Sequence, residues 1–362
     1  YIVKYDALGN VLWAKGAGGN GQDVGNSATT DASGNVYITG VYASSSIILG
    51  ADTLINLGDK DILIVKYDAF GNVLWAKGSG ETFDDNSYSI SSDSSGNVFI
   101  AGSYYNSITF ESITLTNAGG PDMFIVKYDA MGNVLWAKNA GGIGLDEGRS
   151  TTTDVYGNVY VVGNYYNSPS ITFGAITLTN AGIQDIFIVK YDANGSVIWA
   201  KGVGGSDDDT GLSIASDATG NVYVTGWYYS PTITFGAITL NHSIFTSANI
   251  FVVKYDALGN ALWAKSSGGV GNGTGQSITT DTFGNVYVTG YYGFSITFGT
   301  DTLTNAGTYD IFIVNYDSTG NVLWAQGFGG AQWEFGSAIT TDAFGNVYVA
   351  GKYASNTITF GA

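Results

Sequence analysis

Ten positions after each of six recurring tryptophans the chain places Asp23, Asp85, Asp146, Asp209, Gly273 or Glu334. Five of these six are acidic, and Asp84, Glu147, Asp207 and Asp208 stand beside them. Carboxylates on glycine-rich loops are hard oxygen donors that suit Ca2+, so Asp23, Asp85, Asp146, Asp209 and Glu334 form the candidate metal set. The loops lack the alternating D-x-D-x-D spacing with which one loop wraps an ion. Asp in such loops also holds turns through side-chain-to-backbone hydrogen bonds, which is the competing role. No cofactor is expected, with Ca2+ the one ion to consider.

A second kind of chemistry is aromatic. Six segments read D-x-x-G-N-V-Y-V-T-G or nearly so, and the residue just after them varies most: Val41, Ser103, Asn164, Trp227, Tyr291 and Lys352. Variation at one fixed position is where a repetitive chain can place individuality. Trp227, Tyr228, Tyr291 and Trp333 are the candidate ligand contacts, since aromatic rings stack on the faces of sugars. Packing at a rim is the competing role.

Catalysis has little to work with. His242 is the only histidine and cysteine is absent. Ser–His–Asp, Cys–His and His-ligated metal schemes are therefore unavailable. Hydrolysis of glycosides by two carboxylates remains open. No catalytic residues are assigned, and His242 reads as a surface residue at the edge of a hairpin.

The elements that must carry these residues follow from an internal repeat. K-Y-D-x-x-G followed by V-L-W-A-K has its Asp at Asp6, Asp68, Asp129, Asp192, Asp256 and Asp317. The second landmark, D-x-x-G-N-V-Y-V-T-G, has its Asp at Asp31, Asp93, Asp154, Asp217, Asp281 and Asp342. Both series step by 62, 61, 63, 64 and 61 residues. A period of this size marks an array or a propeller. The repeats run about 1–61, 62–122, 123–185, 186–249, 250–310 and 311–362 within one expected domain, 1–362.

Each repeat reads as strands. Ile186–Tyr191, the turn residues Asp192–Ser196 and Val197–Lys201 make one hairpin, and Leu212–Ser216, Asp217–Asn221 and Val222–Thr225 make another. Ile233–Leu240 reads as a short extra hairpin. No stretch keeps helical periodicity. Four antiparallel strands per repeat is the count for a propeller blade, so the expectation is an all-β propeller of six four-stranded blades. The chain begins on the third strand of a blade and ends just after the second. The N- and C-terminal strands are therefore expected to share a blade and close the ring, leaving no open edge.

Composition agrees. Gly is 53 of 362 residues and Pro only 3, with 25 Tyr and 8 Trp. That is a chain of short strands, glycine turns and an aromatic core rather than a disordered one. Net charge is −17, and Arg149 is the one arginine. A nucleic-acid footprint needs clustered Lys and Arg, so nucleic acid is not an expected partner, nor is an anionic membrane surface. No stretch approaches 18 consecutive apolar residues, so membrane insertion by a helix is not expected.

The pattern I-T-F-G-x-x-T-L-T-N-A-G, D-I-F-I-V-K-Y-D, G-N-V-L-W-A-K and D-x-x-G-N-V-Y-V-T-G resembles the SBBP-type β-propeller repeat over essentially the whole chain. The resemblance implies large bacterial secreted or cell-surface proteins and brings no active-site residues. Recurrence itself assigns Trp13, Trp75, Trp136, Trp199, Trp263 and Trp324 to packing between blades, each burying on the order of 200 Å². The leading expectation is a non-enzymatic, extracellular structural or adhesive module. Its partners would be a protein or glycan at the cell surface. A glycan-binding or glycan-processing propeller and a self-assembling filament subunit are the alternatives.

Overall fold

The computed structural model describes residues 1–242 and 247–360; the end of the sixth repeat, 361–362, lies outside them. Among the described residues none is helical. The first strands are β1 (Ile2–Tyr5), β2 (Val11–Lys15), β3 (Asp23–Thr30), β4 (Val36–Tyr42), β5 (Ser46–Leu49), β6 (Asp52–Ile55), β7 (Asp61–Tyr67) and β8 (Val73–Ser79). β3, β4, β7 and β8 form one antiparallel four-stranded sheet in that order, and β5–β6 is a separate hairpin. Each four-stranded sheet thus takes two strands from one repeat and two from the next, as the phase of the sequence requires.

The chain divides into two compact units: Tyr1–Val161 with Asn167–Thr177 and Lys190–Ile198, and Val162–Tyr166 with Leu178–Val189 and Trp199–Ala362. The first holds the β3–β8 sheet and its successor, Asn86–Ala140. The second holds the sheets of Asp209–Ser266 and Gly273–Phe328. The strands between Leu145 and Val203 are divided between the units.

The central strands are buried on both faces. β7 and its counterparts Asp122–Tyr128 and Asn249–Tyr255 are buried at every position. This explains their unbroken apolar reading: a strand covered on both sides has no reason to alternate. Register puts Val36 opposite Tyr67 and Tyr42 opposite Asp61, and the same pairing recurs in the later repeats.

The blade expected to be shared by the chain ends is not among the sheets. β1 and β2 pair only with each other, and so do Glu334–Thr341 and Val347–Tyr353. The physical sign is exposure. Tyr348 and Tyr353 are open to solvent, whereas their counterparts Tyr37 and Tyr42, on a strand paired along both edges, are buried.

Turns connect these strands by one device. Asp31 Oδ1 accepts the backbone N–H groups of Ser33 and Asn35, and Oδ2 accepts Asn35 Nδ2. Asp68 repeats this with Phe70 and Asn72. Both D-x-x-G-N landmarks are therefore self-capped turns, with glycine at the positive φ that closes them.

Candidate functional site

The recurring tryptophans sit within the repeat-to-repeat packing. Trp75 lies between the rings of Tyr37 and Tyr128, at 6.0 and 6.4 Å. Its indole Nε1 donates to the Ala130 carbonyl in the turn of the following repeat, at 3.3 Å. Lys66 Nζ donates to that same oxygen at 2.9 Å, stands 3.8 Å from Asp31 Oδ2 and lies over the Tyr37 ring. Trp13 with Lys4, Trp136 with Lys127, and Trp263 with Lys254 grip Ala69, Ala193 and Ser318 in the same way. Trp199 Nε1 donates to Ala257 O, and Trp324 packs on Tyr287. Lys66 and Lys127 each offer their charge to a carbonyl, a carboxylate and a ring face, which is what a nearly buried cation requires.

The five loop acids are kept apart. Each closes its own loop by accepting an amide four residues back: Asp23 from Gly19, Asp85 from Glu81, Asp146 from Gly142, Asp209 from Gly205 and Glu334 from Gly330. Four of them also hold the loop after the second strand, through Ser44, Tyr105, Ser230 and Ser355 N–H groups; Asp146 takes the Ser168 hydroxyl. Among the described residues no group of three or more His, Asp or Glu could hold a metal ion. For Asp23, burial works to raise the carboxyl but is outweighed by the Ser44 and Gly19 hydrogen bonds, which hold it low.

The variable positions tell a different story. Register sets the residue after T-G opposite the residue after each loop acid: Val41 and Val24, Ser103 and Asn86, Trp227 and Thr210, Tyr291 and Thr274, Lys352 and Phe335. Two residues further along the first strand, within a bulge, stand Asn26, Tyr88, Arg149, Leu212, Gln276 and Ser337. Individuality thus concentrates on adjacent positions of neighbouring strands.

In the first unit these positions satisfy one another. Tyr88 Oη donates to Glu147 Oε1 at 2.7 Å, Arg149 pairs with Glu147, and the guanidinium lies 4.8 Å over the Tyr88 ring. Burial, with the Glu147 charge beside it, pushes the Tyr88 hydroxyl up to about 12.

In the second unit they gather aromatic rings. Tyr291 meets Phe335 edge-on at 4.4 Å and Tyr309 at 5.5 Å. Trp333 lies 5.2 Å from Phe335 and is 41% exposed. Lys352 Nζ stands 5.2 Å over Phe335 and 5.8 Å over Trp333. Trp227 meets Tyr229 edge-on at 5.3 Å, and burial, with Tyr309 and Asp208 nearby, raises the Tyr229 hydroxyl.

Of the expected contacts, Tyr291 and Trp333 come together, and Trp227 is half-buried against Tyr229. Tyr228 is a correction. It is 0% exposed, with its hydroxyl 2.7 Å from Ser266 Oγ, because strand alternation turns it to the face opposite Trp227. His242 is likewise buried rather than at the surface, with Nδ1 3.1 Å from Tyr229 O and its ring edge-on to Tyr228. Phe335 and Tyr309 were not identified by the aromatic reading. The signal for Phe335 is the variability of the position following each loop acid.

Repeated four-stranded antiparallel sheets, linked by tryptophan clamps on the next repeat, define a protein of the β-propeller class. Residues 263–291 match the family model SBBP, a beta-propeller repeat, which is the family the motifs resemble. The chain is similar to the uncharacterized WD repeat-containing protein L264 of Acanthamoeba polyphaga mimivirus, 28% identical over 97% of this chain and 32% of that protein. It is also similar to the regulatory protein FlaEY of Caulobacter vibrioides, 24% identical over 92% of this chain and 37% of that protein. The chain thus spans about a third of the length of these curated relatives. Among solved structures, the WD40 domain of Neurospora crassa Pan2 aligns with a TM-score of 0.44 at 11% identity, covering 91% of this chain and 89% of that one.

Proposed function

We propose that the chain is a non-enzymatic propeller module with an adhesive or structural role outside the cell, making contact through the aromatic surface of its second unit. The observation that carries this reading is the division of labour between positions. Recurring Trp, Tyr, Lys and Asp residues are consumed in clamps and turns, whereas Tyr291, Trp333, Phe335 and Lys352 break the pattern and meet. Bound partners draw most of their energy from a few aromatic and cationic anchors of this kind.

A glycan is the ligand class favoured by the half-exposed Trp333 ring beside Tyr291 and Lys352. Ring faces take the apolar face of a sugar, and the lysine takes its hydroxyls. Screening the protein and its Trp333→Ala/Phe335→Ala variant on an array of bacterial and plant polysaccharides tests this. Binding that disappears in the variant supports the reading. Binding that the variant retains removes the aromatic surface from it, and a blank array removes the glycan.

A further inference from the structure

A second acid stands 24 residues before each loop acid from the second repeat onward: Asp61 before Asp85, Asp122 before Asp146, Asp185 before Asp209 and Asp310 before Glu334. Backbone pairing makes each couple neighbours. Asp85, Asp146 and Glu334 donate their N–H groups to the carbonyls of Lys60, Pro121 and Tyr309, the residues just before the partner acids. Gln184 and Asp208, just before Asp185 and Asp209, form the equivalent parallel bridge.

All eight residues are buried, the most exposed being Asp310 at 3%. In each couple at least one carboxylate oxygen has no hydrogen-bond donor: Oδ1 of Asp61, Asp122, Asp185 and Asp310, and of Asp146 as well. The glycines Gly80, Gly141, Gly204 and Gly329 pass so close that a Cβ on any of them would strike the partner acid.

One couple is missing as a whole. Asn249 and Gly273 stand in place of the two acids, and a Cβ on the glycine kept there, Gly268, would meet nothing closer than 3.7 Å. There Ser267 Oγ accepts the Ile250 N–H at 2.9 Å. Where one acid is gone the other is gone too, which is the behaviour of residues that act as a pair.

We propose that each couple is a proton-binding site in which two buried carboxyl groups share one proton, so that the folded chain takes up about four protons that the unfolded chain does not. A proton turns the donorless oxygen into a donor and removes one of two adjacent buried charges. Among the described residues the groups facing the couples are acids, phenols and neutral donors rather than bases. Asp61 and Asp85 face Glu81, Tyr42 and Tyr104, while Lys60 is engaged with Asp84. Asp122 and Asp146 face Glu147, Tyr104, Asn139 and Ser168. Asp185 and Asp209 face Tyr165, Tyr228 and Ser230, and Asp310 and Glu334 face Tyr292 and Ser355.

The titration directions agree. Burial pushes Asp85 and Asp146 up to about 7 and Asp122 and Asp209 up to about 6, with the partner's charge adding for Asp85, Asp146 and Asp209. Asp61, Asp185 and Asp310 are raised by burial in the same sense. A carboxyl raised in the folded state favours folding as the pH falls through its folded value, and the gain is complete at the unfolded value near 4.

Calorimetric melting of the intact chain between pH 8.5 and 5 is the test, alongside the Asp122→Asn/Asp146→Asn variant, which keeps shape but cannot share a proton. The melting temperature of the parent is expected to rise as the pH falls, and infrared spectra at pH 6 are expected to show protonated carboxyl groups. The variant is expected to melt higher than the parent at pH 8.5 and to gain less on acidification. A flat or falling melting temperature in the parent overturns the proposal whether or not the variant folds. So does a rise on adding Ca2+ at pH 8.5 that the variant lacks, since the couples would then be cation sites.

Discussion

Gly132 and Gly157 close turns of the same kind, D-x-x-G-N, in the same unit and at nearly the same φ, 86° and 78°. They differ in what surrounds them. A Cβ at Gly132 would lie 2.9 Å from Trp75 Cδ2, whereas one at Gly157 would meet nothing within 4 Å. Alanine costs about 1–2 kcal/mol at either position, because an L-residue is strained in the left-handed region. At Gly132 over-packing against the indole adds about 1–3 kcal/mol. Gly157→Ala should therefore lose about 1–2 kcal/mol and Gly132→Ala about 2–5 kcal/mol. Urea unfolding of both variants measures the difference through the midpoint, provided the slope is unchanged. Equal losses would refute the claim that the turn of one repeat is gripped by the tryptophan of the one before.

Trp75→Phe keeps a ring between Tyr37 and Tyr128 but deletes the indole donor to Ala130. Lys66 still serves that carbonyl, so a loss of about 1 kcal/mol in urea unfolding is expected. Asp93→Asn removes the carboxylate that Lys127 approaches at 3.8 Å while keeping the turn's acceptor oxygen. It should cost about 3 kcal/mol, because a buried lysine is left without its counter-charge. At Asp317, hydrogen bonds from Asn321 and Thr319 outweigh burial and hold the carboxyl far below the usual range. Its stabilising contribution is present above the unfolded value near 4 and is lost as the pH falls below it. Asp317→Asn should therefore lower the melting temperature at pH 6, and by progressively less as the pH falls from about 4 to 2.

The strands were legible because they repeat. Six copies of one apolar strand such as Asp61–Tyr67 and six D-x-x-G-N turns leave little freedom in assignment, and the extra hairpin at Thr232–Asn241 appears where Ile233–Leu240 indicated. The phase of the sheets could be read from where the repeat falls across them. Pairing at the chain ends could not, because a strand's pattern says which residues want cover and not what covers them. Tyr353 carries the same signal as Tyr42 and is exposed.

At the candidate site the variable position after T-G pointed to Tyr291 and Lys352. Adjacency along one strand suggested Tyr228 as well, which alternation turns inward. Phe335 and Tyr309 come from other strands, and only register brings them to Tyr291. The acid couples were hidden for the opposite reason. Asp61, Asp122, Asp185 and Asp310 recur so regularly that they read as strand punctuation. Only their loss at Asn249, together with Gly273, marks them as half of something.

The account's central claim is that residues recurring in every repeat build the fold while those breaking the pattern make contact. Trp333→Ala tests it most directly, with melting and binding to the polysaccharide array measured on the same preparation. A melting temperature within about 2 °C of the parent, with array binding lost, is the expected result, since the ring is half exposed and away from the clamps. A fall in melting temperature larger than that of Trp75→Phe, or binding left intact, would contradict it.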